Sequence, residues 1–293
     1  MAKDGSDAEP TQFVKLPDPT TGAFVEADVR SYLKKWDLAG NSRVHRFRYT
    51  RPFHRMDPEP FLRDFFNSDV VREHFEVVDA KGQWCALTDA AGASAGARCV
   101  GVRHEIVPCA VTSMAHFDPI LERADPPIVR EGTDALLKRV DDVIEGFTVA
   151  DELRDFILNE SSENAHLVGE DARAELLFRL FSHCALGGSM CQFEDSITPY
   201  LDVTKRLYKA LVNAKKDPNA DVDQPARAVV ASDVYAVSGV TFAGAGDGDG
   251  DGDGDGNGGL FPRARNRQNF CYLCVDPWKR HVTVWYHGFR AYW

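Results

Sequence analysis

The stretch that most constrains the fold of this chain is residues 170–218, which have the pattern of two amphipathic helices. The first helix carries one apolar stripe at helical spacing, formed by Leu176, Leu177, Leu180, Phe181, Cys184 and Ala185. Gly187 and Gly188 follow the last periodic residue, where a helix C-terminus favours a left-handed residue. Thr198 is the expected N-cap of the second helix, with Pro199 as its first residue. The stretch therefore predicts a buried helical pair.

The same pattern assigns the other positions of these two helices. The second stripe consists of Tyr200, Val203, Thr204, Leu207, Tyr208, Leu211 and Val212. Arg173, Glu175, Arg179 and Ser182 fall on the polar side of the first helix. Lys215 and Lys216 suit the negative C-terminal end of the second helix, and Asp217-Pro218 is expected to stop it.

Strand and helix patterns occur in both halves of the chain. Helices are expected at 27–38, 136–147 and 149–159, with one or two helices at 58–75. Strands are expected at 12–16, 43–50, 84–87, 99–107 and 228–242. Two strands of aromatic and β-branched residues, Phe270–Val275 and His281–His287, flank a turn at 276–280 and predict a C-terminal β-hairpin. Aromatic and β-branched residues on both sides of the first of these strands suggest that both its faces are covered. We therefore predict a single α+β unit over residues 11–293, with a mixed or antiparallel sheet packed by helices, after a disordered segment at 1–10.

A Gly-Asp run at 246–259 holds five of the acidic residues behind a net charge of −11. The run lacks apolar residues and its charges repel one another, so it predicts a solvated loop without fixed structure. It superficially resembles a calcium loop, but Leu260 stands where a bidentate Glu is needed. The chain has no basic excess, which argues against nucleic-acid binding.

Composition also bears on the compartment. The polar N-terminus has no apolar segment typical of a secretory signal, Ala2 excludes myristoylation, and no apolar run is long enough for a membrane span. Seven scattered cysteines indicate free thiols in a reducing compartment. We expect a soluble intracellular protein that does not bind membranes.

Cys271, Cys274, His281 and His287 have residue types that zinc prefers. On a strand, however, residues 271 and 274 point to opposite faces, because their separation is odd. A packed hairpin with incidental cysteines is the better interpretation, and we predict no metal site and no cofactor.

A nucleophilic site is the alternative for the helical pair, with Cys184, His183, Cys191 and Glu194 in a pocket. Cys184 lies on the apolar stripe, which favours a buried, inert thiol. Residues 187–191 resemble a broken nucleophile elbow but follow a helix rather than a strand. Glu194 and Asp195 are expected to cap the next helix or remain in solvent. No catalytic residue is predicted.

Residues 177–218, which read LFRLFSHCALGGSMCQFEDSITPYLDVTKRLYKALVNAKKDP, closely resemble the cilia- and flagella-associated protein 300 family. The terminal VDPWKRHVTVWYH, the earlier RSYLKKWDLAG and the FFNSDVV segment are similar in order and spacing. The resemblance covers the chain from about Phe13 to Tyr286. The Gly-Asp run departs from the family's pattern and is interpreted as an insertion.

This resemblance implies a non-enzymatic protein of motile cilia that acts in assembly of outer and inner dynein arms. It implies cytoplasmic preassembly of dynein complexes, with localisation in the cytoplasm and in the axoneme of the cilium or flagellum. The implied partners are preassembly factors of the kintoun type, and dynein subunits or intraflagellar transport machinery. The alternatives are a structural axonemal protein, a transport adaptor, or an enzyme of unrecognised type that uses Cys184, His183 and Cys191.

We predict that deleting residues 246–259 and rejoining the ends leaves the fold intact. The run buries no apolar area, and the entropy of loop closure changes only logarithmically with loop length. Thermal melts of the deleted and full-length proteins should agree within a few degrees. A deletion that unfolds the protein at growth temperature would show that the run is structural.

Overall fold

The computed structural model describes residues 9–20, 22–90, 97–216, 228–243, 260–261 and 266–290. Its α-helices in this part of the chain are α1 (Ala27–Lys35), α2 (Glu59–Asn67), α3 (Asp69–His74), α4 (Asp118–Glu122), α5 (Glu152–Leu158), α6 (Glu170–Ala174), α7 (Leu176–Leu186) and α8 (Thr198–Leu211). Its strands are β1 (Phe13–Lys15), β2 (Ser42–Tyr49), β3 (Glu76–Val78), β4 (Trp84–Ala86), β5 (Cys99–Val107), β6 (Lys138–Ile144), β7 (Phe147–Asp151), β8 (Ala214–Lys216), β9 (Ala228–Val230), β10 (Asp233–Phe242), β11 (Phe270–Asp276) and β12 (His281–His287). This mixture of helices with an antiparallel sheet confirms the α+β prediction.

The chain divides into two compact units. The sheet unit comprises Met1–Asp18, Arg43–Glu105 and Tyr235–Gly288. The helical unit comprises Pro19–Ser42, Ile106–Val234 and Phe289–Trp293. The expectation of one domain over residues 11–293 stays a prediction. The predicted disorder at 1–10 and at 246–259 falls largely or wholly outside the described residues.

The sheet unit is built on a six-stranded sheet with strand order β1-β2-β12-β11-β10-β5. Aromatic side chains fix α2 to one face of this sheet. The Phe65 ring lies 5.2 Å from that of Phe13 and 5.4 Å from that of Phe47, both edge to face. The rings of Phe61 and Tyr49 are 5.0 Å apart in the same arrangement. Such pairs add to the large apolar area that aromatic residues bury.

The C-terminal hairpin is confirmed. Strands β11 and β12 pair in antiparallel register from Phe270 opposite His287 to Asp276 opposite His281. All seven residues of β11 are buried, so both faces of this strand are covered, as its sequence indicates. Between the strands, Arg280 adopts a left-handed conformation with φ 52°.

The hairpin also separates the two cysteines considered as zinc ligands. Cys271 lies in the core cluster, opposite Tyr286 in the ladder. Cys274 lies opposite Thr283, three residues along the strand and hence on the other face. Burial raises the pKa of the Cys271 thiol, which disfavours the thiolate that binds zinc. Among the described residues, no group of three or more His, Cys, Asp and Glu side chains could hold a metal ion.

The helical unit contains the predicted helical pair. The stripes of α7 and α8 are buried along their whole length, and Leu180, Cys184 and Thr204 are fully inaccessible. Gly187 ends α7 with φ 62°, as the sequence predicts. Helix α8 begins at Thr198 with Ile197 as N-cap, one residue earlier than expected. No helix in the described ranges has the length and apolar character required to cross a membrane.

The helix expected at 136–147 is wrong, because these residues form the β-hairpin of β6 and β7. Glu145 and Gly146, with φ 51° and 84°, have the left-handed conformations that a two-residue hairpin turn requires. Val140 and Val143, three residues apart as on one face of a helix, are 89% and 68% exposed. The expected helix at 149–159 begins only at Glu152, after β7, and Asp151 caps it.

Three further positions differ from the sequence-based expectation. Glu175 is buried rather than on the polar side, and it divides the predicted first helix into α6 and α7. Its carboxylate accepts hydrogen bonds from the backbone N–H groups of Ala110 and Val111 at 3.1 and 3.4 Å. Lys215 and Lys216 belong to β8, which pairs with β9, because α8 already ends at Leu211.

We predict that Leu180→Asp abolishes cooperative folding. Leu180 is fully buried, and an unpaired carboxylate there costs several kcal/mol, on the order of the stability of a whole domain. Ser182→Asp, at a half-buried position of the same helix, is the matched control and should melt near the wild type. Circular dichroism melts measure both. A Leu180→Asp protein that melts normally but loses partner binding in a pull-down would instead make the stripe a docking surface.

Candidate functional site

The polar residues singled out by the sequence converge where the connection between α7 and α8 meets the end of α1. Two backbone hydrogen bonds join these segments, from Gly188 N–H to the Trp36 carbonyl at 2.8 Å and from Gln192 N–H to the Lys35 carbonyl at 2.9 Å. Asp37, in a left-handed conformation with φ 56°, accepts a hydrogen bond from Met190 N–H at 3.0 Å. The connection is therefore fixed against the end of α1 by backbone hydrogen bonds and by the Asp37 carboxylate.

Both glycines of this connection allow a close backbone approach. A Cβ atom on Gly187 would lie 2.5 Å from the Trp36 carbonyl oxygen and closer still to the Cys191 sulfur. A Cβ atom on Gly188 would lie 2.7 Å from the Asp37 carboxylate and closer still to the Asp37 carbonyl oxygen. Any side chain at either position would displace the connection from α1, so these glycines have a packing role.

The sequence suggested that Glu194 caps the next helix or remains in solvent. In the structure it does neither, because it is only 9% exposed. Its carboxylate accepts hydrogen bonds from the Trp36 indole N–H at 2.9 Å and from the Lys35 ammonium group at 2.7 Å. Asp195, beside it, is exposed and pairs with Lys138 at 2.8 Å, and the hydrogen bond from Lys138 lowers the pKa of Asp195. The two adjacent carboxylates therefore have different partners and different surroundings.

Arg154 of α5 is the centre of this site, and sequence reasoning missed it. Its side chain is 1% exposed and forms an ion pair with Asp151, which is fully buried. The guanidinium group also donates to the Ala185 carbonyl at 2.7 Å and to the Tyr200 hydroxyl at 2.8 Å. Its central carbon lies 3.4 Å from the ring centroid of Phe193, which is a close cation–π contact. One buried cation on α5 therefore contacts the last residue of β7, α7, α8 and the connection.

Tyr200 links this cation to Glu194. The Tyr200 hydroxyl accepts the backbone N–H of Glu194 at 2.8 Å as well as the Arg154 guanidinium. Its ring lies 4.9 Å from that of Trp36, the same indole that donates to the Glu194 carboxylate. Burial raises the pKa of Tyr200 to about 12, so the hydroxyl remains protonated at neutral pH.

The two thiols considered as nucleophiles lie beside this network but are not activated by it. Burial raises the pKa of both Cys184 and Cys191 to about 12. A nucleophilic cysteine needs the opposite shift, since the thiolate is the reactive form. His183, on the same helix, is half-buried. The structure thus brings Glu194 and Cys191 together near Arg154, but their environment holds the connection in place and keeps the thiols protonated.

Comparison with known proteins gives a consistent result over nearly the whole chain. A model of the family "Cilia- and flagella-associated protein 300" matches residues 10–287. A protein of that name from Chlamydomonas reinhardtii is 40% identical over 283 residues, which is 97% of this chain and 100% of the relative. One from Paramecium tetraurelia is 34% identical over 189 residues, 64% of this chain and 68% of the relative. No solved structure matches the chain.

We predict that Arg154→Met lowers the free energy of unfolding by about 3–5 kcal/mol, because Asp151 then becomes an uncompensated buried charge. Arg206→Met is the matched control. The Arg206 side chain is 35% exposed and pairs with Glu26 and Asp28, which are themselves 41% and 60% exposed, so its loss should have much less effect. Urea unfolding monitored by circular dichroism measures both variants.

The double variant Asp151→Asn, Arg154→Met should regain part of the lost stability, because it removes the charge that the single variant leaves buried. Equal stability of Arg154→Met and Arg206→Met would contradict the central role of Arg154.

Proposed function

Because this chain belongs to the cilia- and flagella-associated protein 300 family, we propose that it is a non-enzymatic assembly factor for axonemal dynein arms. The family places the protein among those associated with cilia and flagella. The proposed step is cytoplasmic preassembly of outer and inner arm complexes, before their transport into the cilium. The protein would thus be needed for motility rather than for formation of the cilium itself.

The observation that carries this proposal is the extent of the family match. It spans residues 10–287 and therefore includes the helical pair and the C-terminal hairpin together. The Chlamydomonas relative is aligned over its entire length, so its name belongs to a protein of the same extent. The step in dynein-arm assembly comes from the resemblance described above and is our inference.

The non-enzymatic role is supported by what the polar residues of the helical unit do. Arg154 pairs with Asp151 and donates to the Tyr200 hydroxyl and to a backbone carbonyl. Tyr200 accepts the backbone N–H of Glu194, whose carboxylate binds the side chains of Trp36 and Lys35. Cys184 and Cys191 remain protonated at neutral pH. Hydrogen bonds of this kind stabilise the arrangement of the helices. A protein that binds other proteins depends on such a defined surface more than on a reactive group.

The partners we propose are preassembly factors of the kintoun type, together with dynein subunits or the intraflagellar transport machinery that carries them. A cytoplasmic pool follows from this proposal, in addition to a ciliary one. Nucleic acid does not fit as a partner, because the net charge of −11 opposes contact with phosphate backbones.

We predict that loss of this protein gives cilia of near-normal number that beat poorly and lack dynein arms. In such cells, the dynein heavy chains should be scarce or incompletely assembled in the cytoplasm itself. Native sedimentation of cytoplasmic dynein-arm complexes from mutant and rescued cells measures this.

Rescue with Cys191→Ala is the control, because this half-buried thiol has no catalytic role in our proposal, whereas an enzyme that needs the thiol would lose its activity and would not rescue. Fully assembled cytoplasmic complexes in the mutant would contradict preassembly and would favour a transport adaptor or a structural axonemal protein.

A further inference from the structure

The turn between β11 and β12 exposes a large aromatic side chain on backbone that is fixed by hydrogen bonds. Trp278 is 70% exposed, whereas the Trp285 and Trp36 side chains are fully buried. The turn is held by the Asp276 carboxylate, which accepts the N–H groups of Trp278 and Lys279 at 3.0 and 3.1 Å. The tryptophan is therefore presented at a defined position, with little backbone left to order on binding.

The end of β2 lies beside this turn. Tyr49 N–H donates to the Arg280 carbonyl at 2.9 Å, and the Arg280 guanidinium donates to the Thr50 carbonyl at 2.9 Å. Side chains alternate along β2, so Arg46 and Arg48 point away from the face on which Phe47 and Tyr49 are buried. The register of β1 sets Val14, 45% exposed, directly opposite Arg48 on that outer face.

We define the Trp278 surface as the side chains of Val14, Arg46, Arg48, Trp278, Lys279 and Arg280. The positions of these cations agree with their effect on His281, which follows the turn. Burial and the charge of Arg46 lower the pKa of His281, Asp276 raises it, and Lys279 and Arg48 lower it further, with a net downward shift. These cations thus surround one end of the hairpin.

Among the described residues, few carboxylates lie near this surface. Lys279 is 3.8 Å from Asp276, whose carboxylate already caps the turn. Within the residues that the structure describes, no carboxylate lies within 4.0 Å of the charged groups of Arg46, Arg48 or Arg280. A cationic surface with an exposed tryptophan thus occurs on a chain whose net charge is −11.

From this combination we infer that the Trp278 surface docks an acidic segment of another protein, one that sets an aromatic or large aliphatic residue against Trp278. Tryptophan and arginine are the residue types that most often dominate binding energy at protein interfaces, and unneutralised cations favour a negatively charged partner. The inference does not depend on the proposed function, because it is read from the surface of the sheet unit alone.

A polypeptide fits this surface better than other polyanions. Nucleic acids and anionic membranes attract proteins of positive net charge over long distances, whereas the net charge of this chain is negative. Stable membrane attachment also takes two anchoring signals, and one tryptophan on a turn is a weak one. A short acidic segment experiences mainly the charges within a Debye length, about 8 Å at physiological salt.

The test is a selection of twelve-residue peptides from a random phage-displayed library on the full-length protein. We expect the selected peptides to be enriched in Asp and Glu around an aromatic or large aliphatic residue. Synthetic copies, measured by fluorescence anisotropy, should bind at least about tenfold more weakly to Trp278→Ala and to Arg48→Glu. The binding should weaken as salt is raised.

The matched controls are Lys81→Glu, which makes the same change of charge in the exposed turn between β3 and β4, and Met56→Ala, which removes a side chain that is 94% exposed. Both should bind the peptides like the wild type, and thermal melts establish that all four variants fold. No selected peptides, peptides without acidic enrichment, or equal binding by Trp278→Ala and wild type would each overturn the inference.

The other possible occupants have their own readouts. Vesicles of anionic phospholipid or a polyuridine strand could bind as tightly as the peptides, and in a Trp278-dependent way. Such a result would show that the surface binds polyanions in general and not acidic peptides in particular. Self-association in sedimentation velocity that Arg48→Glu abolishes would make the occupant a second copy of this chain. Either outcome would overturn the inference in its present form.

Discussion

A single buried guanidinium group, that of Arg154, determines how the helical unit is put together. It needs a counter-charge and several acceptors because it is withdrawn from water, and it finds them on four different segments. A hydrophobic contact would tolerate some sliding of these segments. Several hydrogen bonds donated by one guanidinium group do not, since each acceptor must lie at a defined distance and angle. The network therefore specifies one arrangement of α5, α7, α8 and the connection between the last two.

This requirement also explains why residues that suggested chemistry perform none. The sequence from Gly187 to Glu194 contains two glycines, a cysteine and a carboxylate, which are residues that often occur at active sites. Here the glycines admit the backbone of α1, and the carboxylate binds the indole of Trp36. The same residue types can therefore serve to hold a backbone arrangement or to catalyse a reaction. Only the surroundings of each group, burial above all, separate the two.

The elements predicted correctly from the sequence are those in which the periodicity of apolar residues matches their burial in the structure. The stripes of α7 and α8 and the strands of the terminal hairpin were correct, because their apolar residues are buried as the periodicity implies. The hairpin of β6 and β7 was missed, because Val140 and Val143 have the three-residue spacing of a helical stripe although both are exposed. Its turn residues, Glu145 and Gly146, carried the one correct signal. Arg154 and Glu175 could not be found from spacing alone, since a charged residue is assigned to the surface unless its partners are known. Those partners lie up to 65 residues away.

The order of strands in the sheet unit has a consequence for how the chain acquires its structure during synthesis. Strand β2 lies between β1 and β12, so one of its two ladders is formed by residues near the end of the chain. During translation, β2 emerges early and its second hydrogen-bonding edge has no partner until the hairpin of β11 and β12 has been made. Such non-local pairing is slow, and an open strand edge can recruit other chains meanwhile. A premature stop that removed only the last hairpin would leave this edge open permanently, and would turn a nearly full-length product into one that aggregates.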